Sequence, residues 1–109
     1  MMTEDVPAAH RPPAQHRILY VGGDILMPER LADALDCRVV RCPGGSIACL
    51  FIRGETKYSL LLFDDDLQGA ELARLARSLE HRASTPVVLV RKSEGFETLA
   101  DTIRRALGV

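Results

Sequence analysis

Three consecutive aspartates, Asp64, Asp65 and Asp66, close the apolar run LLLF at residues 60–63. Like charges gathered at the end of a buried strand must keep their water, find a cation or be chemically modified. Two readings of them stand side by side. Either they are a solvated strand end, with Asp66 as N-cap of the next helix, or they form an acidic pocket. Two other segments place charge directly after an apolar run: Gly22-Gly23-Asp24, and Arg91-Lys92-Ser93. Asp24 and Asp65 would extend an acidic pocket around Asp64. Arg91 and Lys92 would offset the carboxylates by charge-assisted hydrogen bonds, with no ligand required.

The other reactive side chains carry less chemistry. Cys37, Cys42 and Cys49 are odd in number and fit no zinc spacing, so they read as core-filling thiols. His10 and His16 fall in a tail and His81 in a polar turn, which makes no ligand set. Gly22-Gly23 and Gly44-Gly45-Ser46 both fall short of a G-x-G-x-x-G phosphate loop. The second reads better as a turn, with Ser46 as N-cap.

The elements that must position these residues follow from hydrophobic pattern. Strands are predicted at 17–21 (RILYV), 37–42 (CRVVRC), 58–63 (YSLLLF) and 86–90 (PVVLV). Between and after them fall helices at 28–35, 47–53, 68–81 and 95–107. The first carries Leu31, Ala34 and Leu35 at helical spacing. The third carries Leu72, Leu75, Ala76 and Leu79, and the last carries Phe96, Leu99, Ile103 and Leu107. YSLLLF does not alternate, as expected of a central strand covered on both faces. The β-α-β-α-β-α-β-α order predicts an α/β fold, a three-layer flavodoxin-like parallel sheet of four strands with helices on both faces. Ligands of such sheets sit beyond the carboxyl ends of the strands, where the charged segments above are gathered.

The chain has 109 residues, 47% hydrophobic and 27% charged, which suits one domain over 17–109 behind a disordered tail over 1–16. A formal net charge of −1 gives no global field for nucleic acid or acidic membranes. No apolar run approaches the length that spans a bilayer, and the start lacks a signal pattern, so a cytoplasmic protein is expected.

RILYVGGD, GGSIACLFIRGETKYSLLLFD, QGAELARLARSLEHRASTPVVLV and KSEGFETLADTIRRALG together resemble the receiver domain of bacterial two-component response regulators. The likeness covers Arg17 to Val109. It implies that Asp64 takes the phosphoacceptor position, that Asp24 belongs to the acidic loop after the first strand, and that Lys92 is the lysine that contacts the phosphoryl group. The departures are specific. Gly22 and Gly23 stand where the family places its magnesium-binding acidic pair, and Arg91 stands at its switch hydroxyl. The loop after the acceptor is shortened, with Gly69 five residues beyond Asp64, and one βα unit is absent before KSEGF. Magnesium needs near-octahedral oxygen ligands, so the glycines remove most of its cage, and Asp24 with Asp64 or Asp65 would hold it only weakly. Arg91 is expected to pair with the aspartates and fix one conformation.

The expectation is a degenerate receiver-like signalling or protein-interaction module, not an enzyme and without a cofactor. Its partner would be a histidine kinase or other signalling protein. The alternative is a working receiver phosphorylated on Asp64 by a histidine kinase. A small-ligand or nucleotide-binding flavodoxin-like domain ranks behind both. With one βα unit missing, 86–90 becomes an edge strand, and a homodimer through it or through the last helix is expected.

Overall fold

The computed structural model describes residues 16–54, 56–67, 75, 77–79 and 84–108. Four strands form one all-parallel sheet in the order β2-β1-β3-β4: β1 (Arg17–Val21), β2 (Arg38–Cys42), β3 (Leu60–Phe63) and β4 (Val87–Leu89). The predicted flavodoxin-like arrangement is the one observed. Strand order reverses between β1 and β3, because the chain leaves β1 toward β2 and returns on the other side for β3.

Three helices are described in full: α1 (Met27–Leu35), α2 (Gly45–Arg53) and α3 (Gly95–Leu107). Strand periodicity sends alternate side chains to opposite faces. Ile18, Tyr20, Leu60 and Leu62 therefore pack with Leu31 of α1 and Ile103 of α3, on one side. Leu19, Val21, Leu61 and Phe63 pack with Ala48 and Ile52 of α2 and with Leu75, on the other. β3 is buried along its whole length, which explains the unbroken apolar run. Each fully buried leucine contributes roughly 1.5–3 kcal/mol of transfer free energy.

Local chemistry sets the helix ends. Pro28 sits in the first turn of α1, where its missing N–H costs nothing. α1 stops at Asp36, which takes the left-handed conformation (φ 52°) and returns its N–H to the Ala32 carbonyl. α3 stops the same way at Gly108 (φ 78°). Arg104 of α3 donates to the Ala34 carbonyl in the last turn of α1 at 3.3 Å, tying together the two helices that share a face.

Several local expectations shift. The buried stripe of α1 is Met27, Leu31 and Leu35, spaced i, i+4, i+8, and this turns Ala34 outward to solvent. α2 begins at Gly45 with Gly44 as N-cap, so Ser46 lies inside the helix instead of capping it. His16 belongs to the fold and not to a tail. Its carbonyl accepts Arg38 N–H at 3.1 Å, and its Nδ1 lies 3.1 Å from Ser59 Oγ. The rest of the expected tail lies outside the described residues, as does most of the expected helix 68–81 with Leu72, Ala76 and His81. Within that helix, Leu75 is buried and Leu79 packs beside it. Among the described residues, no helix is long and apolar enough to cross a membrane.

Candidate functional site

The carboxyl ends of β1 and β3 meet at the point of strand reversal, where such folds place their sites. Tyr20 lies opposite Leu62 in the sheet register, so Asp64, two residues beyond Leu62, shares its face. The Tyr20 hydroxyl donates to Asp64 Oδ2 and accepts the Asp24 N–H at 3.2 Å. One phenol thus joins the two acidic segments that the sequence places far apart. Burial, then the bond to Asp64, holds this hydroxyl well above its ordinary pKa of 10.0, so it stays a proton donor.

Asp64 is only 2% exposed, whereas Asp65 and Asp66 face solvent. The three neighbours are therefore not equivalent. Asp64 N–H donates to the Val21 carbonyl at 2.9 Å, continuing the ladder past the end of β3. Asp66 reaches back across the reversal and accepts Gly23 N–H at 3.3 Å. Asp24 turns its own Oδ1 onto Leu26 N–H at 3.0 Å, a local turn that leads into α1.

Gly22 has a steric reason to be glycine. A Cβ there would lie 2.5 Å from Asp64 Cβ and 2.6 Å from the Tyr20 hydroxyl. Its N–H donates to the Cys42 carbonyl at 2.9 Å, and its own carbonyl accepts Arg41 Nη1 at 3.1 Å. The paired glycines thus do more than remove carboxylates: Gly22 makes room for the tyrosine and for the buried aspartate.

The basic pair is arranged differently from expectation. Arg91 is exposed, and among the described residues no hydrogen bond or ion pair joins it to Asp64, Asp65 or Asp66. It lines a cavity with Asp24, at the end of β4 beside the start of α3. Lys92 opens a short 3-10 turn, Lys92–Glu94, and its side chain lies outside the described part of the structure. The three cysteines are free thiols, and burial pushes Cys37 up to about 11 and Cys42 upward as well.

Gly22 and Gly23 offer only backbone, and one Asp64 oxygen is engaged by Tyr20. Among the described residues, no group of three or more His, Cys, Asp and Glu side chains stands in a metal-holding arrangement.

Tyr20 and Arg41 are the residues that sequence reasoning passed over. In RILYV the tyrosine reads as apolar bulk, yet a buried phenol requires a hydrogen-bond partner. That requirement was the available signal; the identity of the partner depends on the register between β1 and β3. No protein-family model matches the chain, and no curated protein is found to match it. The fold and site therefore define a class only: a four-stranded parallel α/β protein of flavodoxin-like order with a tyrosine-bound aspartate at its reversal point.

Proposed function

We propose that this chain is a degenerate receiver-like module that acts by binding a protein partner and is not conventionally phosphorylated on Asp64. One observation carries the reading: the residue at the phosphoacceptor position is buried, with its Oδ2 engaged by the Tyr20 hydroxyl. Phosphoryl transfer onto a carboxylate depends on an accessible in-line oxygen and on cations that neutralise the phosphoryl charge. Here the carboxyl is buried and one of its two oxygens is held by a donor kept protonated, and the glycines supply no side-chain metal ligand.

The partner surface has its own support. β4 is a sheet edge, and Val87 and Leu89 on it are 40% and 53% exposed. An apolar edge invites another strand. A histidine kinase, another signalling protein or a second copy of this chain would fit it, and a twofold homodimer is the simplest solution.

The test is a titration of the whole chain with magnesium and beryllium fluoride, followed by amide shifts near residue 64. The expected result is no saturable change up to about 10 mM magnesium, a range that covers dissociation constants weaker than millimolar. Saturable shifts that vanish in Asp64→Ala would overturn the proposal and establish a working phosphoacceptor.

A further inference from the structure

A second feature lies on the α1–α3 side and contains neither Tyr20 nor Asp64. A cavity of about 170 Å³ opens between the start of α1, the end of β4 and the start of α3. Two of its walls are cationic, Arg30 from α1 and Arg91 from the end of β4. The Arg30 guanidinium lies 4.1 Å from the centroid of the Phe96 ring. Stacking fixes the plane of the fork and leaves its N–H edge for hydrogen bonding. Among the described residues neither arginine forms an ion pair. The opposing charge in the lining is Asp24, whose Oδ1 is taken by Leu26 N–H. Among the described residues, two guanidinium groups against one carboxylate leave the lining with one positive charge.

The backbone adds to this field. α1 and α3 both begin at the cavity, at Met27 and Gly95, and neither has a side-chain hydrogen bond at its N-cap. The positive ends of their dipoles therefore lie near the same region. Gly95 has φ 79° and ψ 164°, a conformation open in practice only to glycine. A side chain there would meet nothing within 4 Å, so the glycine is required by backbone geometry and not by space. The remaining walls, Met27, Val90 and Leu99, are apolar. The volume is below the roughly 300 Å³ at which drug-sized sites begin.

We infer that this cavity binds a small organic monocarboxylate, its carboxylate held by Arg30 and Arg91 and its apolar body against Met27, Val90 and Phe96. One net positive charge suits one negative charge. The apolar walls favour a carboxylate with a hydrocarbon body over a fully hydrated inorganic ion, because only the former gains from leaving water.

The experiment titrates the full chain with benzoate, with benzyl alcohol and with inorganic phosphate, following the amides of Asp24, Gly95 and Phe96. Benzoate is expected to give saturable shifts with a low-millimolar midpoint. Benzyl alcohol should bind at least about tenfold more weakly, and Arg91→Gln should weaken benzoate by roughly tenfold, the effect of losing one charge-assisted contact. The Arg91 side chain is exposed and forms no hydrogen bond or ion pair among the described residues, so this variant keeps the fold. No saturable shift with benzoate at about 20 mM would overturn the site. Equal binding of benzyl alcohol, or indifference to Arg91→Gln, would overturn the role of the arginines. Phosphate binding as tightly as benzoate would overturn the role of the apolar walls. None of these readouts involves a metal or Asp64, so they stand apart from the phosphorylation test.

Discussion

Tyr20 and Gly22 together create the surroundings of Asp64, one by supplying a hydroxyl and the other by having no side chain. Gly22→Ala should destabilise the fold by about 1–3 kcal/mol or more, the range for overpacking, since the new methyl would meet both Asp64 and Tyr20. Urea midpoints would record it. Tyr20→Phe should cost about 1–3 kcal/mol, because a buried acceptor loses a donor. The same hydroxyl predicts a pH dependence. Its folded pKa is raised above the ordinary 10.0, so its contribution is complete below pH 10 and is lost as pH rises, when the unfolded chain ionises first. Cys37 acts alike between its usual 9.0 and about 11. Stability should therefore fall between pH 9 and 11, by up to about 1.4 kcal/mol per pH unit for each group fully titrating only when unfolded. Cys37→Ala should flatten the lower part of the decline and Tyr20→Phe the upper part, and an unchanged slope in both variants would contradict the assignment. At this scale the charged residues were legible, since Asp24 and Asp64 announce themselves after apolar runs. The tyrosine was not, because its bond depends on which residue of β3 lies opposite it.

Among the elements, β3 and β4 show how far pattern alone can be read. Four apolar residues in a row gave the buried central strand, and the missing βα unit made residues 86–90 an edge strand, the place β4 takes in the sheet. Val88 faces the α1–α3 core, whereas Val87 and Leu89 point to the opposite face and remain exposed. Burial on both faces requires a neighbour on both sides, and an edge strand has one. If the edge mediates self-association, sedimentation should show a dimer that Leu89→Lys returns to monomer with unchanged helix content. A wild type that is monomeric at about 100 μM would exclude all but weak pairing. The start of α2 shows a different limit. Ser46 is the residue type that caps helices, but the helix begins one residue before it at Gly45, with extended Gly44 as N-cap. Which of several small residues takes the cap depends on how the loop leaves β2, and propensity does not encode that.

For the molecule as a whole, one sheet supports two apolar layers, so neither layer should unfold alone. Leu61 faces the α2 layer and Leu62 the α1–α3 layer. Each changed to alanine should cost about 2–5 kcal/mol and shift a single cooperative transition, whichever face is probed. Two separate transitions by fluorescence and circular dichroism would contradict this. The sequence by itself determined the alternation of strands and helices, the parallel sheet and the edge position of β4, because period-2 and period-3.6 hydrophobicity is a local property written in consecutive residues. Only the tertiary structure decided that Asp64 is bound to Tyr20 and that Arg91 shares a cavity with Arg30 and Phe96. Those choices depend on strand order, register and the direction in which each chain segment leaves the sheet, and such long-range geometry leaves no trace in the spacing of neighbouring residues.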